Sequence, residues 1–247
     1  MGRRELFSRS AHSFALTVIK HRLEGKNPIG EADLEWIFAR NCEALNSYGR
    51  RIKNNNSEVT GMRVIAGSAR RLLLKTVEGM ETRPTTDRIK ETLFNMLQND
   101  LYGARFLDLF AGSGAIGIEA LSRGAKEAVF VDKGDGQISC IRENLKITHL
   151  DEKALVMSSD VIEAVKRLDR AGNPFDFIFM DPPYRMDLPK KVLEALKDTC
   201  LADEETLIIV EEALEADFSW VCALGYEIVK SKEYKTNKHV FLRKKEN

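Results

Sequence analysis

Asp181, Pro182, Pro183 and Tyr184 close an apolar run, Phe175-Asp176-Phe177-Ile178-Phe179-Met180, and put a carboxylate, two rigid residues and an aromatic ring side by side. An apolar run of this kind reads as a buried parallel strand. Proline cannot continue a central strand, so pairing stops there and the chain must turn. The carboxyl ends of strands are where open α/β sheets bind ligands. There, the Asp181 carboxylate and the unpaired Pro182 carbonyl can accept hydrogen bonds from an exocyclic base amine, while the Tyr184 ring stacks on the base. Taken alone, the triplet fits an ordinary proline turn just as well.

A second motif changes that balance. Residues 105–111 have a strand pattern and run into Gly112-Ser113-Gly114-Ala115-Ile116-Gly117, followed by a helical stretch over 118–123. Glycines at these places let the backbone turn tightly and approach a ligand, with free N–H groups at the start of the next helix. A further strand at 128–131 ends in Asp132, where an acidic residue can accept from ribose hydroxyls. These glycines suit a nicotinamide or flavin dinucleotide as well as another adenosine cofactor. Asp108, four residues before Gly112, favours the latter. A carboxylate there repels a pyrophosphate and suits the ammonium group of an amino acid. S-adenosylmethionine has that ammonium, a ribose and no phosphate.

Three stretches carry a closer likeness: Met62-Arg63-Val64-Ile65-Ala66-Gly67; the run from Thr82-Arg83-Pro84-Thr85-Thr86-Asp87-Arg88 to Leu97; and Asp108-Leu109-Phe110-Ala111-Gly112-Ser113-Gly114. Together with the downstream Asp181-Pro182-Pro183-Tyr184, they resemble the bacterial RsmD family of 16S ribosomal RNA guanine-N2 methyltransferases, from Met62 to about Arg243. The resemblance implies an α/β protein with the Rossmann-like class I S-adenosylmethionine-dependent methyltransferase fold. That fold is a seven-stranded, mostly parallel sheet with helices on both faces and an antiparallel final strand. It implies a cofactor site of Asp108, Phe110, Ala111, Gly112, Ser113, Gly114, Asp132 and Asp160, with Asp132 on the ribose and Asp160 on the adenine amine. Asp160 also reads as a helix N-cap before Val161-Ile162-Glu163, and the two roles can coexist. Asp181, Pro182, Pro183 and Tyr184 would be catalytic, and Arg63, Arg70, Arg71, Arg83 and Arg88 would engage RNA phosphate. Thr85 and Asp87 lie in the shared stretch and also suit helix caps. One departure stands out: the family usually has Arg-Gly-Arg or Arg-Gly-Lys after its first strand, whereas this chain has Arg70-Arg71-Leu72.

Charge distribution agrees with a local RNA contact. The 247-residue chain has formal net charge zero, so attraction to RNA cannot come from the whole molecule. Residues 62–77 contain Arg63, Arg70, Arg71 and Lys75 and no acid, and Arg83, Arg88 and Lys90 follow. Beside a base-handling motif, residues 62–90 read as a phosphate-binding entry segment rather than a solvated basic face. Cys42, Cys140, Cys200 and Cys222 lack zinc-like spacing, as do His12, His21, His149 and His239, which read as surface or satisfied core residues. No metal is expected. Few cysteines and no long apolar segment point to a reduced, cytoplasmic protein with no membrane partner. Arg3, Arg4 and Arg9 among serines faintly resemble a transit peptide, but Glu5 and the bacterial likeness oppose that.

Two units are expected. Residues 1–61 form an extension, helical over 13–23 and 31–45 or poorly ordered, with a linker at Asn54-Asn55-Asn56-Ser57. Residues 62–247 form one α/β domain, in which 62–77 is a short strand or hairpin and a helix starts near Thr86-Asp87. Strands and helices then alternate, as in a parallel sheet: 105–111, 114–123, 128–132, 136–146, 154–157, 160–169, 175–180, 188–198 and 206–211. Two tail strands, 226–234 and 238–243, are expected to turn at Thr236-Asn237. A monomer acting on 16S RNA within the small subunit or its assembly intermediate fits this plan. Rival readings are a DNA adenine-N6 or protein glutamine methyltransferase, which more often have Asn in place of Asp181, and a non-catalytic RNA-binding assembly factor. A nicotinamide-dependent oxidoreductase is more distant.

Overall fold

The computed structural model describes residues 62–77, 87–170, 172–183 and 187–245. The extension 1–61, Arg83, Thr85, Thr86 and Tyr184 therefore lie outside the described residues.

Apolar strands supply the frame. The helix α1 (Asp87–Leu97) leads into β1 (Arg105–Leu109), α2 (Ala115–Ser122), β2 (Glu127–Asp132), α3 (Asp135–Thr148), β3 (Ala154–Ser158), α4 (Val161–Asp169), β4 (Phe177–Met180), α5 (Leu188–Lys197), β5 (Leu207–Ala213), β6 (Tyr226–Glu233) and β7 (Asn237–Lys244). The strands form one seven-stranded sheet in the order β3-β2-β1-β4-β5-β7-β6. The first five strands are parallel, and β7 runs antiparallel between β5 and β6. This is the expected Rossmann-like class I arrangement.

Strand alternation assigns the two faces. Phe106, Phe130, Phe177, Phe179, Ile209 and Phe241 join one core with residues of α1, α2 and α3. Leu107, Leu109, Ile178, Met180, Ile208 and Val210 join the other with residues of α4 and α5. Phe94 of α1 stacks on Phe106 at 6.3 Å, and Phe106 on Phe177 at 6.1 Å, which ties that helix to the centre of the sheet. After β1 the chain winds outward through β2 and β3, then returns to place β4 on the other side of β1. That reversal is the switch point at which such sheets take ligands.

Some boundaries differ from expectation. α3 runs to Thr148, where His149 turns into the left-handed region (φ 56°) and ends it. The tail turn comes earlier than Thr236-Asn237: Tyr234 N–H donates to Asn237 O (2.8 Å), and Asn237 already belongs to β7. The expected short strand or hairpin at 62–77 takes the form of a brief antiparallel pair: the bridge of Arg63 with Leu73, with Val64 N–H donating to Leu72 O (3.0 Å) and Leu74 N–H to Met62 O (2.8 Å).

That segment is fastened by charge instead of a long ladder. The buried Glu119 of α2 accepts from Ile65 N–H (2.8 Å) and Ala66 N–H (3.0 Å), and Arg123 donates to it at 2.7 Å. Lys90 of α1, also buried, donates to Arg63 O (2.6 Å) and lies 3.7 Å from Glu119. Gly67 (φ +82°) lies so close to α2 that a Cβ would fall 1.8 Å from Ser122 O, so only glycine lets the segment seat there. Burial pushes the Lys90 ammonium below its ordinary pKa, while Glu119 pulls it back. Breaking such a pair strands a buried charge, so Glu119→Ala should cost about 3–5 kcal/mol. Urea unfolding measures this, and a loss well under that range would show that another group holds the segment.

Candidate active site at the sheet's switch point

Register places the chemistry along one edge. The last parallel pairs across the centre are Val131 with Leu109, Leu109 with Met180, and Met180 with Val210. One step further along each strand come Asp132, Phe110, Asp181 and Glu211, and β7 sets His239 opposite Glu211. Asp181 thus stands at the tip of β4 between the ends of β1 and β5, half-buried, with Pro182 buried behind it and Pro183 exposed. The prolines stop the β4 ladder there, as the sequence suggested.

The glycine loop is braced from several sides. Phe110 has a positive φ of 63°, an uncommon conformation for a bulky residue. Ala111 N–H donates to Val131 O (3.0 Å), and Gly112 N–H donates to Asp132 Oδ2 (2.9 Å). The other Asp132 oxygen accepts from Gly134 N–H (3.0 Å), so this carboxylate joins the loops after β1 and β2. Gly114 caps α2 with φ 78°, and a Cβ on Gly117 would lie 2.4 Å from the Phe130 ring. Here glycine is required for conformation at one place and for packing at the other.

Asp108 is 2% exposed, and its Oδ2 accepts from Gly117 N–H at 2.9 Å. Burial pushes its carboxyl up to about 7; the Gly117 N–H opposes that rise and the Asp132 charge adds to it. Asp181 is raised well above the usual carboxylate range, chiefly by burial and then by the charges of Glu211, Asp108 and Glu212. Asp160 is exposed at the end of β3 and accepts from Ile162 N–H (2.9 Å), so it does act as the N-cap of α4. Arg70, Arg71 and Arg88 are exposed, whereas Arg63 pairs with Asp87 at 2.7 Å.

A family model described as "Conserved hypothetical protein 95" matches residues 62–243. The Bacillus subtilis protein "Putative rRNA methyltransferase YlbH" is 41% identical over 63% of this chain and 85% of its own length. Escherichia coli "Ribosomal RNA small subunit methyltransferase D" is 36% identical over 66% of this chain and 80% of its own. The solved structure "Putative methyltransferase yhhF from Escherichia coli" superposes with a TM-score of 0.64 at 32% identity, covering 76% of this chain and 99% of that one.

The chain belongs to the RsmD family.

It is accordingly an S-adenosylmethionine-dependent ribosomal RNA methyltransferase, and no helix among the described residues is long and apolar enough to cross a membrane. Several residues of this RsmD site had no motif to mark them. Asn144 of α3, fully buried, holds both backbone groups of Lys75 (2.7 and 3.0 Å) and donates to Ser113 O (2.9 Å). It thereby connects the basic entry segment to the glycine loop. Glu211, Asn237 and His239 form a second buried polar group beside Asp181. A Glu at the end of an apolar run and a lone His were the only signals for them.

Asp108 gives a pH test. Its folded-state pKa of about 7 lies above the ordinary 3.8, so the folded protein binds this proton more tightly than the unfolded chain. That contribution is complete below pH 3.8 and is lost as pH rises through about 7. Asp108→Asn keeps an acceptor for Gly117 and has no proton to lose. Urea midpoints at pH 5 and pH 8 should therefore show the Asn variant gaining on the parent by up to a few kcal/mol, on the order expected for a buried carboxyl.

Proposed function

We propose that this protein transfers the methyl group of S-adenosylmethionine to the exocyclic N2 of a guanine in 16S ribosomal RNA, as a cytoplasmic monomer acting on the small subunit or its assembly intermediate. The observation that carries the reading is the adjacency of the braced glycine loop and Asp181 at the β1/β4 switch point.

The charge of this edge fits the donor. Asp108, Asp132, Asp181 and Glu211 face it or stand beside it; such a setting disfavours a pyrophosphate, and a bound ammonium or sulfonium would draw the raised Asp108 and Asp181 carboxyls toward their charged forms. In this reading Asp108, the loop from Phe110 through Ala111, Gly112 and Ser113 to Gly114, Asp132 and Asp160 hold the donor. Each Asp132 oxygen already takes one backbone N–H and keeps a lone pair for a ribose hydroxyl. Asp160 would meet the adenine amine with the oxygen not engaged in capping. Bound S-adenosylmethionine supplies an electrophilic methyl group on a good leaving group.

The chain's own task is to present the amine in line, about 3 Å from that methyl. The lone pair of a guanine N2 is conjugated with the ring. Asp181 and the Pro182 carbonyl accept its two N–H bonds, orient it and favour a pyramidal nitrogen as charge develops. Pro182 and Pro183 hold that geometry in advance, and Tyr184 stacks on the base. A paired guanine cannot reach such a cleft, so the target is unpaired or extruded. Arg63, Arg70, Arg71, Arg83 and Arg88 grip phosphate around it.

Purified protein, donor and small subunits from cells lacking the gene should yield N2-methylguanosine, read by nucleoside mass analysis. Asp181→Ala should lower turnover about 10²- to 10³-fold and leave S-adenosylhomocysteine affinity nearly unchanged in calorimetry. Replacing Arg70 and Arg71 by Ala should weaken RNA binding and flatten its salt dependence by about one unit of slope per lost phosphate contact. Methylation of DNA or protein instead of 16S RNA, or no turnover by the parent protein, would overturn the reading.

A further inference from the structure

We propose that Glu211 is a positioning residue for methyl transfer: fixed beside Asp181 by His239 and Asn237, its negative charge makes Asp181 the acceptor of the proton released by the target amine. This rests on the role given to Asp181 above.

Geometry brings the two carboxylates together. β4 and β5 are parallel and their last pair is Met180 with Val210, so Asp181, the first residue past β4, follows beside Glu211 of β5, whose charge bears on it. Neighbouring strands lie about 4.8 Å apart, and residues at the same step project to the same face. That face is the one of Phe179 and Ile209, and Asp108 of β1 lies on it one row below.

Glu211 is 4% exposed, and among the described residues it has no lysine or arginine partner. A buried carboxylate without a cation stays ionised only if donors hold it. Asn237 Nδ2 donates to its Oε1, and His239 Nε2 lies 2.9 Å from its Oε2. With the imidazole hydrogen on Nε2, His239 donates to Glu211, and Tyr234 O–H donates to Nδ1 at 3.2 Å. The ring is fully buried, with Phe179, Tyr234 and Phe241 edge-on to it at 6.0, 5.0 and 6.4 Å. The donors therefore all point toward Glu211. Asn237 Oδ1 is buried with no partner among the described residues. An orphaned acceptor of this kind calls for an explanation; serving Glu211 with the amide's other end provides one. The groups whose charge bears on Asp181 are Glu211, Asp108 and Glu212, and together with burial they strengthen its hold on a proton.

In the transfer step the amine nitrogen forms a bond to the methyl carbon while the carbon–sulfur bond breaks and its electron pair stays on sulfur. The nitrogen, now cationic, passes one proton to the Asp181 carboxylate. A neutral methylated amine and a neutral carboxylic acid result, and repulsion between Asp181 and Glu211 is relieved. Asp181, half-buried, returns the proton to water after product leaves.

Glu211→Gln tests this, because it keeps the shape and removes the charge. Carbon-13 NMR of the Asp181 carboxyl reads its titration without any turnover. The midpoint should fall by about one unit or more. The acidic limb of kcat should move down with it and the plateau should drop about tenfold. Glu211→Asp should restore the limb. His239→Phe removes the donor that fixes Glu211 beside Asp181, and should lower the Asp181 midpoint in the same direction if Glu211→Gln does not fold. An unmoved midpoint and limb in a folded variant, with the parent active, would leave Glu211 a purely structural role and overturn the proposal. A parent protein inactive on every RNA substrate would overturn the reading of Asp181 itself, a different and separable result.

Discussion

Carboxylates crowded at the carboxyl edge of one sheet, held among the described residues by hydrogen-bond donors and not by lysine or arginine, are the constraint around which this domain is built. Asp108 is held by Gly117 N–H, Asp132 by Gly112 and Gly134 N–H, and Glu211 by Asn237 and His239. A neutral donor stabilises an anion without cancelling its field, whereas a salt bridge would do both. A bound cation would therefore meet acidic groups whose charge no lysine or arginine cancels, which suits a positively charged methyl donor. Asp181 differs from its neighbours. Burial first, and then the charges of Glu211, Asp108 and Glu212, strengthen its hold on a proton.

Where the structure buries cations, it does so on the helical side. Lys90 and Arg123 converge on Glu119, and that cluster seats the backbone of Ile65 and Ala66 against α2. A chain with no net charge can thereby keep a basic segment and an acidic sheet edge apart. Asn144 links the two regions, since one side-chain amide is shared by Lys75 of the segment and Ser113 of the loop. Of the basic residues, Arg63 is partly committed to folding through Asp87, whereas Arg70 and Arg71 are exposed.

What could be read from the chain was whatever local chemistry dictates. Apolar runs announced β1, β2, β4 and β5, and the prolines announced where β4 must stop. Gly112 and Gly114 announced a tight turn after β1, and Asp132 lies against it. The group around Glu211 could not be read, because Glu211 and His239 meet only through the antiparallel register of β5 and β7, and nothing in the intervening residues fixes that register. His239 was expected to be a surface or satisfied core residue. It is a core residue, and its satisfaction comes from the very carboxylate that adjoins Asp181. The left-handed backbone of Phe110 was equally hidden, since no aromatic residue advertises a positive φ.

The departure from the family pattern has a structural counterpart at Arg71. Its φ is 72°, in the region where an L side chain is disfavoured and glycine is not. The family's usual glycine between two basic residues suits that conformation, and Arg71 adopts it with Arg71 N–H donating to Val64 O at 2.8 Å. Holding a side chain there costs about 1–2 kcal/mol. The turn survives because Gly67, Glu119 and Lys90 already seat the segment on the helices, so the strain is borne by contacts elsewhere. In exchange, two guanidinium groups emerge from consecutive positions at the exposed turn, and basic charge is kept where the family has it although its spacing has changed.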